Sequence, residues 1–160
     1  MDGIAGLLKL AHVALAMAFA AGIVGRIVVL SRAARSDDVE RAAELTELAG
    51  PFERTVIFSS MAVLPAGLAT AWAQGYDWLG LTTGWMLASV AIYAALVALV
   101  PTIFVPRGRI FEAALAEARR DGAVTPALRT AFSDPAVRFA RNAEVVGLAV
   151  IVALMVLKPF

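Results

Sequence analysis

Residues Ile4–Leu30 read IAGLLKLAHVALAMAFAAGIVGRIVVL, and the fold turns on them. The run is 27 residues long, and Lys9, His12 and Arg26 are its only polar side chains. A helix needs about 20 apolar residues to cross the hydrocarbon core of a bilayer, so this one is long enough to span it. Ala16–Met17–Ala18 and Ala18–Phe19–Ala20 resemble signal-peptide cleavage sites. However, Asp2 precedes the run with no basic residue beside it, Lys9 and His12 interrupt its apolar part, and it continues past both sites. A retained membrane span is expected.

Lys9, His12, Ala16, Phe19, Ile23 and Arg26 recur at steps of three and four, so every polar side chain of the helix falls on one stripe. Ala14, Ala18 and Gly22 run beside it, a small-residue series that admits a second helix backbone. Both stripes are expected to face the interior of a bundle. Lys9 and Arg26 are seventeen residues apart, or about 25 Å along a helix axis. Each cation can therefore snorkel to a different interface of a core about 30 Å thick.

Three further apolar runs follow, at about 55–73, 85–105 and 139–157. Over 160 residues the chain is 61% hydrophobic, too apolar for an ordinary soluble domain, and its mean hydropathy is +0.80. The expected fold is all-α: an integral membrane antiparallel four-helix bundle forming one domain over 1–160. The last span repeats the layout of the first, with Arg141 and Lys158 again seventeen residues apart.

Between the spans, Ser31–Arg54 is polar, with a short helix over Val39–Leu48 expected to stop at Gly50–Pro51. Gln74–Gly84 is a short loop, and Trp72, Tyr76, Trp78 and Trp85 around it have the character of an aromatic belt. Pro106–Arg138 is the longest polar segment. Within it Ile110–Arg120 is amphipathic, with Ile110, Phe111, Ala114, Leu115 and Ala118 on one face, and Asp121–Gly122 ends it. Such a piece extends the third helix, packs on its own loops, or lies on the membrane surface. Pro65 and Pro101 read as helix kinks, tolerable where neighbouring helices satisfy the freed carbonyls.

Of fourteen basic residues, twelve fall between Arg26 and Arg54 or between Arg107 and Arg141, and only Lys9 and Lys158 belong to the other side. The positive-inside rule then puts segments 31–54 and 106–138 in the cytoplasm of a bacterial plasma membrane and both termini outside.

With no cysteine and one histidine, thiolate chemistry and a closed zinc site are excluded. No P-loop, dinucleotide fingerprint, His-Glu-x-x-His or Gly-x-Ser-x-Gly motif is present. The basic residues alternate with acids and lack an aromatic platform, which speaks against nucleic acid as a partner.

Three sets of residues could carry chemistry. His12 can ligate haem, with Met86 or Met155 at similar depth as the second axial ligand, or move protons. Its structural reading is an interfacial imidazole bonded to water, headgroup or carbonyl. Arg26, Glu53, Arg54, Arg141, Asn142 and Glu144 gather near one interface, where an ion-pair cluster of Arg26, Arg141 and Glu144 is expected to fix helix packing. A proton-coupled transporter is the functional alternative for that cluster. Mid-membrane, however, the chain offers only Ser59, Ser60, Thr70, Ser89, Tyr93 and Thr102.

Leu8–Lys9–Leu10–Ala11–His12, with Phe19 seven and Gly22 ten residues after the histidine, resembles the first helix of a family of small bacterial integral membrane proteins of unknown function. More distantly it is similar to haem-carrying membrane protoporphyrinogen oxidase and to copper-resistance D-type domains. The resemblance to the oxidase implies a haem-ligand role for His12 alone. Phe19 stands where that helix usually has tryptophan, its Pro-Arg ending is missing, and there is no second histidine. The resulting expectation is a non-catalytic scaffold or subunit of a membrane assembly. Its partners would be the bilayer and either a second copy, through small-residue faces that include Ala149 and Ala153, or another membrane protein. A haem-binding redox protein is the alternative.

Overall fold

A computed structural model describes residues 2–159 of the chain, and among them there are helices and no strands. Helix α1 is Asp2–Ala33, α2 Val39–Ala73, α3 Gly84–Leu99, α4 Val105–Asp121, α5 Pro126–Phe132 and α6 Pro135–Leu157. Four helical stretches are long and apolar enough to cross a membrane: Gly3–Ala33, Val39–Ala73, Gly84–Asp121 and Pro126–Leu157.

The contacts between helices define an antiparallel bundle. His12 meets Gly67 and Gly22 meets Val56, so numbers rise along α1 as they fall along α2. Tyr93 reaches Ser60, and Met86 packs with Ala71, which sets α3 antiparallel to α2. Leu96 lies on Gly147 and Trp85 near Leu154, which does the same for α3 and α6. We call the end of the bundle bearing Arg26 and the segments 34–54 and 106–138 the basic end, and that bearing Trp72 and Trp85 the aromatic end.

The closest packing is between α1 and α2. A Cβ added at Gly22 would stand 2.8 Å from Val56 Cγ2 and 3.1 Å from the Phe52 carbonyl oxygen, and one at Gly25 would strike the Phe52 ring. Of the small series on α1, Gly22 is buried, Ala18 half-buried and Ala14 exposed. The closest backbone approach is thus at Gly22 and Gly25 rather than at the alanines, and the seam continues to His12 and Gly67.

Two helix boundaries differ from expectation. Helix α2 runs unbroken through Gly50–Pro51 for 35 residues. Pro51 is exposed, so the carbonyl it leaves unbonded can meet water. Packing on both sides of it, by Ala42, Ala43 and Ala49 before and Val56, Ser59 and Val63 after, holds the helix straight through. The third helix does not end with its apolar run near Val105 either. At Pro101 the chain widens into a π-helical turn, Val100–Phe104, in which the Val105 amide donates to the Val100 carbonyl, and it then continues as α4. The amphipathic piece Ile110–Arg120 thus extends the third helix, and Gly122, at φ +66°, caps it in the left-handed conformation.

Beyond the basic end the two polar segments pack on each other. Val39 of α2, Ala114 and Ala118 of α4, and Leu128 of α5 form a buried cluster, flanked by Phe111, Leu115 and Phe132. Arg119 bridges to Glu40 and Glu47, and Arg129 to Asp37, at 2.7–3.5 Å. At the aromatic end Trp72 and Trp78 face outward, but Trp85 is buried with Ala71 and Met86 and stacks edge-on against Tyr76 at 6.3 Å. Only half of the aromatic belt therefore lies at the surface. Trp85 sits on the α3 face that packs against α6, and Lys158 lies over its ring at 5.5 Å.

Candidate functional site

Inside the spans the polar groups fall into three sets. The hydroxyls form the first. Those of Ser59, Ser60, Thr70, Ser89 and Thr102 each donate to a carbonyl one turn earlier in their own helix, at 2.5–2.9 Å. This is the usual way for a hydroxyl in an apolar helix to satisfy its donor without a partner. Tyr93 differs: its hydroxyl donates to the Ser60 carbonyl and ties α3 to α2.

His12 is the second set. Its Nδ1 lies 2.9 Å from the Val63 carbonyl oxygen on α2. A carbonyl only accepts, so Nδ1 carries the proton, and in the neutral ring the lone pair is on Nε2. Gly67, one turn beyond Val63, makes room for the ring: a Cβ there would be 2.8 Å from His12 Cε1. Met86 and Met155 are brought together elsewhere, in the cluster around Ala71, Trp85, Tyr76 and Leu154. Ala71 is one turn further along α2 than Gly67, so the level of Met86 is about 6 Å from that of the imidazole.

The third set is ionic. Arg26 of α1 and Glu144 of α6 are paired, 9% and 5% exposed. The Arg26 guanidinium also lies over the Phe104 ring at 4.9 Å, a cation–π contact supplied by the π-helical turn. Arg26 Nε is buried without a hydrogen-bond partner. Arg141 is half-buried and sits in the field of Arg26, Glu144 and Glu53. Of the six residues expected to gather, Arg26 and Glu144 pair, Arg141 lies near them without an ion pair of its own among the described residues, and Glu53, Arg54 and Asn142 are exposed. Their location followed from counting depth along each helix. The Val63 and Ser60 carbonyls were not legible in advance, because acceptance by a backbone carbonyl leaves no mark in a sequence, nor was the Phe104 ring, whose position depends on the π-helical turn.

Among the described residues no group of three or more His, Asp or Glu side chains is placed to hold a metal ion. At the basic end a cleft of about 520 Å³ opens between α1 and α6 beneath the end of α5.

Four apolar helices in alternating directions, tied together by a few interior polar contacts, define an integral membrane protein of the all-α class. The chain belongs to a family of predicted integral membrane proteins, DUF2269, whose model matches residues 6–159. No curated protein and no solved structure matches it.

Proposed function

We propose that the protein is a structural, non-catalytic subunit of a membrane assembly in the bacterial plasma membrane, with both termini outside and segments 31–54 and 106–138 in the cytoplasm. The orientation rests on the twelve basic residues collected at one end. What carries the functional reading is the use made of the intramembrane polar groups. His12 bonds α1 to α2, Tyr93 bonds α3 to α2, and Arg26 pairs α1 with α6. Each is a tie between helices, and the remaining hydroxyls are occupied within their own helices.

Association is supported by the outer faces. Ala149 and Ala153 on α6 are exposed, as are Ala91, Ala94, Ala95 and Ala98 on α3. Small residues let helices approach closely in lipid, where packing rather than the hydrophobic effect drives association. The test is the subunit count by native mass measurement in mild detergent, with Ala153→Phe beside the wild type. Oligomers that Ala153→Phe dissociates support the reading. A strictly monomeric wild type with no co-purifying partner overturns it.

His12 supports a second reading, in which the protein binds haem. A backbone carbonyl that holds Nδ1–H is the arrangement that orients a ligating imidazole and leaves Nε2 for a metal. His12 would hold the haem through Nε2, and Met86 or Met155, about 6 Å away in level, would be the second residue to hold it. The haem would supply one-electron chemistry. Oxidised and dithionite-reduced visible spectra of the purified protein and of His12→Ala decide it. A Soret band lost in the variant supports haem, and a colourless protein expressed with haem supplied ends this reading.

A further inference from the structure

The cleft at the basic end has walls whose polarity changes with depth in the same sense on both sides. On α6, Arg138, Arg141, Asn142, Val145 and Val146 recur at steps of three and four or adjoin one another, so they share one face. The cationic and amide groups lie toward the end of the bundle and the valines one to two turns further in. On α1 the order matches: Ser31 is at the outer level and Ile27 one turn deeper. Phe132 and Ser133, at the end of α5, close the cleft from above. From Arg138 to Val146 is eight residues, about 12 Å of helix.

No acidic side chain lines this cleft. Among the described residues neither Arg138 nor Arg141 forms an ion pair with a carboxylate, as is also true of Arg32, Arg35, Arg54, Arg109 and Arg120, but those five do not line the cleft. The volume, about 520 Å³, falls within the range of small-ligand clefts, about 300–1,000 Å³. Two unpaired guanidinium groups above an apolar floor, at the level where a membrane surface meets a helix bundle, match one kind of molecule in both chemistry and depth.

We propose that this cleft binds an anionic glycerophospholipid of the adjoining leaflet. Arg138 and Arg141 take the phosphate, Asn142, Ser31 and Ser133 surround the headgroup, and an acyl chain lies along Ile27, Val145 and Val146. Arginine suits the phosphate because its planar fork presents paired donors to two oxygens. Basic pockets between spanning helices are a recognised setting for anionic headgroups. Lipid binding here requires neither self-association nor haem.

The test uses the full-length protein, delipidated in mild detergent and titrated with dioleoyl phosphatidylglycerol or dioleoyl phosphatidylcholine, with bound lipid counted by native mass spectrometry. Phosphatidylcholine carries the same phosphate but offsets it with its own choline cation, so the net-anionic lipid should bind more tightly by about fivefold per arginine, about thirtyfold in all. Arg138→Gln, an exposed position outside the buried ion pair, should lose about fivefold of that preference with the helix content unchanged. Val146→Trp fills the apolar floor while keeping both cations, and should abolish lipid binding. Excess inorganic phosphate should fail to displace the lipid. Equal affinity for the two lipids, or wild-type affinity in both variants, overturns the proposal. If inorganic phosphate displaces the lipid fully, or if Val146→Trp keeps the preference, the site is one for a free phosphate group and the lipid assignment is wrong.

Discussion

Replacing Glu144 with leucine should destabilise the protein strongly, and replacing Arg26 with leucine as well should restore most of the loss. The pair joins α1 to α6 with both side chains nearly sequestered, at 9% and 5% exposure. Removing the carboxylate leaves the Arg26 guanidinium with the Phe104 face and little else, since its Nε is already without a partner. A cation–π contact recovers about 0.5–2 kcal/mol, whereas breaking a buried pair from one side costs about 3–5 kcal/mol. Arg141, a like charge nearby, does nothing to relieve Arg26. The basic interface is close enough for partial snorkelling, which favours the lower end, about 3 kcal/mol. Glu144→Gln keeps an acceptor for the guanidinium and should cost less, about 1–3 kcal/mol. The double leucine variant removes both desolvation penalties and should unfold within about 1 kcal/mol of wild type. Equilibrium unfolding by dodecyl sulfate titration in bicelles, followed by helical circular dichroism, gives these values and, with Arg26→Leu alone beside them, closes the double-mutant cycle. If the double variant is as unstable as Glu144→Leu alone, the cost does not come from an orphaned charge, and the structural account of this pair is wrong.

The same titration checks four smaller effects. Gly22→Leu should cost about 1–3 kcal/mol because its Cβ meets Val56 and the Phe52 backbone, which cannot yield. Gly108→Ala, with nothing within 4 Å of the added carbon, should instead gain about 0.5–1 kcal/mol. Asp134 caps α6 by accepting from the Ala136 and Val137 amides and also bridges Arg107 at 3.2 Å. Asp134→Ala should cost about 1 kcal/mol, with Asp134→Asn recovering most of it. Tyr93→Phe removes one hydrogen bond between helices and should cost about 0.5–1 kcal/mol, more than Ser60→Ala, whose hydroxyl bonds only within its own helix.

The four spans were legible because hydropathy over about 20 residues is set by the bilayer rather than by distant contacts. The interior face of α1 was legible for a related reason. Of the stripe Lys9, His12, Ala16, Phe19, Ile23 and Arg26, the last three are buried and His12 and Ala16 half-buried, whereas Lys9 is exposed. The ion pair followed from the rule that an intramembrane acid requires a partner at its own depth, which pointed to Arg26 or Arg141 for Glu144. The stop at Gly50–Pro51 failed because the cost of a helical proline is local, about 3 kcal/mol, and packing over many residues on both sides offsets it. That packing combines the contacts of segment 31–54 with segment 106–138, which nothing in either sequence couples, and the long seam of α2 with α1 around Val56. Even so, the apolar face of Ile110–Arg120 is the face that packs, through Phe111, Ala114, Leu115 and Ala118, with Ile110 alone left outside. Helix α5 was missed because seven residues carry too short a period to register.

The turn at Pro101 gathers several of these features into one. Leu96 and Ala114 are eighteen residues apart, five whole turns of a regular helix, so in an unbroken α-helix they would share a face. A π-helical turn takes in one extra residue and swings the helix beyond it by about 100°. Leu96 accordingly packs on Gly147 of α6, while Ala114 packs with Val39 and Leu128 in the head beyond the bundle. The same turn sets Phe104 beneath Arg26. Proline there does more than bend a helix. It lets one continuous segment serve two cores that face different ways, and at the junction it puts an aromatic face against the buried cation that joins α1 to α6.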